Sequence, residues 1–362
     1  MLLSESSTAT WYLVSPDSVM PWFEHFAVLG PTDEVRHLGE TGTTGLRQVW
    51  AELTASTAPV RVVIYSSHES LVRDRAFADL MLESGLEVLC QSRTAVELAM
   101  DKALMKLFFE RHGFRTANWH SGHAGGHVAV SPNIGTERSA PVVVKRRFGT
   151  QSLGIRLVEE RHCTAAPDEF CERYHNGVEY SVVVYRDDSG CLTFPPVWKG
   201  ETTPGLVPPW RRLRLCPAPD HDAGLEAQLR ELSARMAKAA DVRGYAEIEY
   251  LVVDDGAPMV LEINPRISGT MRITAMATGM PIFTPGPAAI WPEQLAATRC
   301  AAEAPYQGTP FADPAVGVFG TSRITAVADS TLDVRAKLAH YGTDARWLDD
   351  VWWPAEAVTA SD

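Results

Sequence analysis

No apolar run in this chain reaches the length of a membrane-spanning helix, and no basic segment leading into an apolar core opens it. Neither a G-x-G-x-x-G following the first strand-like run nor a G-x-x-x-x-G-K-[ST] occurs, so a dinucleotide fingerprint and a P-loop both lack support. Cysteine is sparse: Cys90, Cys163, Cys171, Cys191, Cys216 and Cys300 contain no C-x-x-C, a spacing that fits neither a zinc cluster nor a disulfide framework. The expectation is of reduced thiols in a cytoplasmic protein. Positive charge is also in short supply. Lys and Arg number 33 against 45 Asp and Glu, a formal charge of −12, which argues against a nucleic-acid or general polyanion surface. There is no internal repeat or low-complexity tract. What remains is an ordinary globular composition, 45% hydrophobic and 22% charged over 362 residues, enough for two or three domains.

The first ninety or so residues alternate between strand and helix patterns. "TWYLVSP", "VRVVIYSS" and "GLEVLCQS" are short apolar runs ending in small polar residues, and "ESLVRDRAFADLMLESG" between the last two has helical spacing and a glycine stop. An open parallel sheet is expected. "TAVELAMDKALMKLFFERHG" reads as one long helix, opened by a Thr94/Glu97 capping box and ended by Gly113. "PVVVKRRFGTQSLGIRLV" reads as a strand, a basic cluster, a small-residue turn and a second strand. "GLEAQLRELSARMAKAADVRG" spaces Leu225, Leu229, Leu232 and Met236 along one helix face. "VGVFGTSRITAV" reads as one further strand.

The chemistry concentrates in "YAEIEYLVVDDGAPMVLEINPRISGTMR". Residues two apart in a strand share a face, so Glu262 and Asn264 project together. The turn "DDGAP" folds the preceding run back and brings Glu249 beside them. Acids in so apolar a segment call for a cation, and a carboxylate–carboxamide oxygen set suits magnesium. Upstream, "VVVK" ends in Lys145, and the backbone N–H groups of "FGTQSLGI" could wrap phosphate oxygens.

Taken in order, Lys102, Lys145, the small-residue loop, the acidic stretch "CERYHNGVE", Lys199 and the Glu249, Glu262, Asn264 set resemble the ATP-grasp superfamily over roughly residues 85 to 285. "IEYLV…LEINPR" is the most specific match. The resemblance implies an α/β ATP-grasp fold: a Rossmann-like sheet domain (residues 1–93), a connecting helix (94–117), a small lid domain (118–176) and a C-terminal metal- and ATP-binding domain (177–362). It further implies that Lys102 and Lys145 contact the nucleotide phosphates, with Lys145 also near the adenine. Gly149, Ser152 and Gly154 would belong to the phosphate-covering loop. Glu172 and the backbone at Tyr174 would meet the adenine edge, Glu179 the ribose, and Lys199 the γ-phosphate. Glu249, Glu262 and Asn264 would bind one or two Mg²⁺ ions, or Mn²⁺ in their place. Arg266 would lie beside the reacting carboxylate, and Arg272 would bind a second carboxylate or form a surface salt bridge.

The implied reaction is ATP-dependent ligation of a carboxylic acid to an amine through an acyl phosphate, with amino-acid-like substrates, no nucleic acid and no membrane. "EINPRISGTMR" resembles amino-acid and peptide ligases more than the NT-x-PG pattern of D-alanine ligases, and the chain reads as short for a biotin carboxylase. Two alternatives stand beside this reading. One is an ATP-grasp carboxylase or kinase using bicarbonate or a phosphoryl acceptor; the other is a non-catalytic nucleotide-binding regulatory module. Oligomeric state is open, with a homodimer compatible.

Overall fold

The computed structural model describes residues 8–39, 42–56, 58–121, 141–149, 154–159, 165–202, 205–207, 211–219, 222–284, 286–309, 316–317 and 323–341. Three sheets organise them. The first is built from β1 (Ala9–Val14), β2 (Glu34–His37), β3 (Val60–Tyr65) and β4 (Glu87–Leu89), in the order β2-β1-β3-β4 with every pairing parallel. Helices α1 (Met20–Phe26), α2 (Thr44–Ala55) and α3 (Leu71–Glu83) connect them. Strands β1 and β3 are apolar on both faces because both are covered. Trp11, Leu13, Val62 and Ile64 pack with Leu46, Val49 and Phe77 of the helices, whereas Tyr12, Val14, Val63 and Tyr65 face the rest of the protein.

The stretch expected as one helix is two: α4 (Arg93–Met100) and α5 (Lys102–Arg111), broken at Asp101. The N-cap of α4 is Ser92, not Thr94, its hydroxyl accepting from Ala95 N at 3.1 Å. Asp101 adopts φ −137° and its carboxylate accepts from the amides of Ala103 and Leu104, so a residue that competes for backbone N–H groups restarts the helix. Lys102 is thereby the first helical residue of α5.

The second sheet is small and antiparallel: β5 (Trp119–Ser121), β6 (Pro141–Arg146), β7 (Arg156–Glu159) and β8 (Glu169–Arg173), ordered β5-β8-β6-β7. Its β6 end is tied to α5, where Lys102 N donates to Arg147 O at 3.0 Å and Arg147 Nε donates to Asp101 at 3.0 Å. The four free cysteines among the described residues are Cys90, Cys191, Cys216 and Cys300. Cys171 on β8 is disulfide-bonded, against the expectation that every thiol is reduced.

The third sheet is antiparallel: β9 (Val178–Arg186), β10 (Cys191–Thr193), β11 (Val197–Glu201), β12 (Arg214–Cys216), β13 (Gly244–Val252), β14 (Pro258–Asn264), β15 (Cys300–Pro305), β16 (Val316–Gly317) and β17 (Arg323–Ala328). The order is β14-β13-β9-β11-β12-β15-β17-β16, with β10 beside β9. The single strand expected over "VGVFGTSRITAV" is thus two paired strands, β16 and β17. Helices α6 (Ala223–Ala239), α7 (Gly269–Thr278) and α8 (Thr331–His340) cover the sheet.

Period-two alternation divides β9, β13 and β14 between two tasks. Val182, Ile248, Tyr250 and Ile263 pack on Leu229 and Met236 of α6, as the helical spacing there predicts. The opposite face carries Tyr185 and Tyr245, which meet the first domain's Tyr65, and then the acids. Gln91 reinforces that junction, donating to Tyr245 O at 2.6 Å and accepting from Arg243 N at 3.1 Å. No helix among the described residues is long and apolar enough to cross a membrane.

Behind α7 lies a buried ionic cluster. Glu303 on β15 is fully buried and bonded by Arg272 and Arg323, with Arg214 Nη1 at 3.4 Å. Burial alone would raise its carboxyl, but the three guanidinium groups outweigh it and hold the value at about 2. A depressed acid stabilises the fold fully above its unfolded value and progressively less as pH falls towards the folded one. Glu303 should therefore add stability that is complete above pH 4.5 and fades from there towards pH 2. Glu303→Gln should lower unfolding free energy at pH 7 by about 3–5 kcal/mol, because it strands buried arginines. Denaturant titrations at pH 7 and pH 3 check this: the gap between wild type and variant should narrow at the lower pH.

Candidate active site

The small antiparallel sheet and the acid-bearing face of the large sheet enclose a cleft of about 1200 Å³, open solvent at its mouth included. Its lining contains Lys102, Lys145, Gly149, Glu172, Tyr174, Glu179, Glu249 and Glu262. The chain enters the large sheet through Gly177, where a Cβ would stand 2.4 Å from the Val252 carbonyl oxygen, so only glycine allows this close passage. Gly149 (φ 114°) and Gly154 (φ 77°) also need conformations that L side chains rarely adopt. Ser152 lies outside the described residues.

Strand register assembles the floor. Glu249 sits opposite Glu262, and Glu247 opposite Asn264. On the other side of β13, Glu249 faces Ser181 and Leu251 faces Glu179. Directly opposed residues share a face, so Glu179, Glu247, Glu249, Glu262 and Asn264 emerge together. Lys199 from β11 reaches in beside them, buried, with Nζ 2.7 Å from Glu247 and 3.3 Å from Glu249.

The cations of the cleft are paired with these acids. Lys102 Nζ bonds Glu262 Oε1, and Lys145 Nζ bonds Glu172 Oε1. Glu172 has a second cation, the fully buried Lys106, whose Nζ lies 2.8 Å from Oε2 and 2.6 Å from Thr116 Oγ1. Burial opposes ionisation of Glu172, but the two lysines prevail and hold its carboxyl at about 2. Burial lowers Lys106; at Lys145, where burial would also lower the value, Glu172 leaves it raised. Glu262 is lowered, Lys102 outweighing burial. Glu249 goes the other way: burial raises it, and the neighbouring carboxylates of Glu247, Glu262 and Glu179 add to the rise against the opposition of Lys199.

Glu249 is partly exposed to the cleft, and with Glu247, Glu262 and Glu179 it gathers carboxylate oxygens on one face, hard donors of the kind a divalent cation favours. The donor set fits magnesium: Glu249, Glu262 and Asn264 are all oxygen ligands. Asn264 Nδ2 donates to Glu249 Oε1 at 3.2 Å while its Oδ1 accepts from Arg266 Nη2 at 3.2 Å. Carboxamide orientation follows the surrounding hydrogen bonds, and a half-turn would direct Oδ1 towards Glu249 and the shared position. Among the described residues no group of three or more His, Cys, Asp or Glu side chains is placed to hold a metal ion by itself.

The remaining expected residues divide. Arg266 does not continue the strand: its N–H bonds back to Asn264 O at 2.8 Å, and the guanidinium turns to Asn264 and Ile267 O. Arg272 is buried rather than at the surface and is engaged by Glu303 and by Thr325 Oγ1 at 2.7 Å. Glu179 is met by Arg212 Nη2 at 2.7 Å. Sequence reasoning missed Lys106, Glu247 and Arg212. Lys106 was legible as one turn beyond Lys102 on the same helix, and Glu247 as two residues before Glu249 in one strand.

The model for the carbamoyl-phosphate synthase L chain ATP-binding domain matches residues 212–286. A D-alanine--D-alanine ligase of Nitratidesulfovibrio vulgaris is 28% identical over 190 residues, 46% of this chain and 57% of that protein. The chain thus spans little more than half the length of the curated relatives it matches first. Among solved structures, the L-amino acid ligase from Bacillus licheniformis superposes with a TM-score of 0.66 at 16% identity, over 96% of this chain and 98% of that one. Biotin carboxylase from Campylobacter jejuni gives 0.65 at 15% identity, over 92% and 90%. Sequence relatives and fold point the same way: the chain is similar to ATP-grasp ligases and carboxylases.

Proposed function

We propose that the protein is an ATP- and magnesium-dependent ligase that joins a carboxylic acid to an amine and releases ADP and phosphate. The observation that carries the reading is the single sheet face on which Glu249, Glu262, Asn264 and Lys199 meet, directly under a cleft lined by Lys102 and Lys145. Phosphoryl transfer needs positioning and charge neutralisation more than covalent help from the protein, and this face offers both. Glu249 and Glu262, with Asn264 after its half-turn, would hold magnesium, which supplies charge stabilisation at the transferred phosphoryl group. Lys102 and Lys145 would leave their acids for phosphate oxygens, and Lys199 would meet the γ-phosphate. Lys106 keeps Glu172 ionised when Lys145 departs. Glu172 and the Tyr174 backbone would bound the adenine, and Glu179, shared with Arg212, the ribose. Arg266 would orient the substrate carboxylate as it attacks phosphorus, then stabilise the oxyanion when the amine displaces phosphate. Amino-acid-like substrates are supported by the sequence likeness to D-alanine--D-alanine ligases and the fold likeness to an L-amino acid ligase. A carboxylase is the second reading, favoured by the biotin carboxylase likeness.

A panel of acids and amines scored for ADP release tests the choice. Turnover that requires both an acid and an amine is the ligase outcome; turnover with bicarbonate alone is the carboxylase outcome; nucleotide binding without turnover under every pairing overturns both. Glu262→Gln should reduce turnover at least a thousandfold while the melting profile stays cooperative, and Arg266→Ala should lower kcat more than ATP affinity. Lys106→Met should weaken ATP binding about tenfold, or ~1.4 kcal/mol, because Glu172 then has Lys145 as its remaining lysine; calorimetric titration with ATP measures it.

A further inference from the structure

Glu247 has no part in the reading above, although it lies closer to Lys199 than Glu249 does. Its carboxylate is buried, accepts from Lys199 Nζ at 2.7 Å, and is also hydrogen-bonded by Ser268, the N-cap residue of α7. Glu249 stands at 3.3 Å from the same Nζ. Lys199 thus bridges two carboxylates of one strand, and the nearer of them carries a second, neutral donor from a different element. Glu247 faces Asn264 across the ladder and does not line the nucleotide cleft, whereas Glu249 does.

Resting on the proposed roles of Glu249 and Lys199, we infer that Glu247 is a positioning residue. It anchors the Lys199 ammonium on the far side of Glu249, so that Glu249 can turn to a divalent cation without leaving a buried lysine unpaired. Two physical requirements support the assignment. A buried ammonium that loses its carboxylate is strongly disfavoured, so a lysine paired with Glu249 alone would compete with the metal for that side chain. A buried carboxylate with an unshared lysine would also be free to swing; the Ser268 hydroxyl removes that freedom at Glu247. The pair is therefore asymmetric, with one acid fixed to the lysine and the other available.

The test is nucleotide-dependent Mn²⁺ binding, read by the loss of the free-ion EPR signal in the presence of ADP. Glu247→Gln should weaken Mn²⁺ binding at least tenfold, because Lys199 then pairs with Glu249 alone. In the Lys199→Met background the same substitution should have little effect, since the competitor is gone. Equal Mn²⁺ affinity for wild type and Glu247→Gln overturns the inference. So does an equal loss in both backgrounds, which would make Glu247 a ligand in its own right. Should Glu247→Gln alone fail to fold, comparing Lys199→Met with Lys199→Met/Glu247→Gln still decides, since equal affinity supports positioning and a further loss overturns it. Wild-type protein that binds no Mn²⁺ with ADP sinks the ligase reading and takes this inference with it; the other negative outcomes leave that reading intact.

Discussion

A charge removed from water must be matched by another, and this constraint organises the cleft. Lys102, Lys145 and Lys199 enter it from a helix and two different sheets, and each is held by a glutamate. The pairing satisfies the cleft's charges and also shapes what can enter it. A metal ion alone would have to displace the Lys102 ammonium from Glu262 and leave it stranded. A polyphosphate alone would draw the lysines away and leave carboxylates facing one another. Arriving together under the proposed function, the two would exchange partners with the protein: acids would take the cation and lysines the phosphates. Strong coupling between nucleotide and metal binding would then follow from the pairs themselves.

Rigidity comes from an antiparallel ladder with one face given to packing. Ile248, Tyr250 and Ile263 fix the strands against α6, so the residues between them cannot drift. Ligand groups borne on such strands hold position better than groups on loops. The first domain contributes by closing one end of the same face, through Tyr245, Tyr185 and the Gln91 bridge.

Much of this was legible in the residues. Alternation in "IEYLV" and "PMVLEIN" places the acids on one face because a strand repeats every two residues, and the five residues between the strands leave room only for a hairpin. The apolar runs of the first domain end in serines where a parallel sheet presents its strand ends. Where the reading failed, the cause was a long-range partner. The break at Asp101 is invisible in helical spacing, since only Arg147, forty-six residues on, shows why an aspartate there prefers to cap. Arg272 looked available for a substrate because nothing in its neighbourhood reveals Glu303. Lys106 lies one turn beyond Lys102 on α5, but only the fold buries it against Glu172.

The junction at Asp101 ties together two parts of the cleft wall. One carboxylate starts α5 and grips the arginine at the end of β6, while the next residue joins the two segments by its own amide and points its ammonium into the cleft. Any displacement of the small sheet would therefore pull on the turn that aims Lys102. A cleft-lining ammonium and the sheet above it are joined through a single peptide unit.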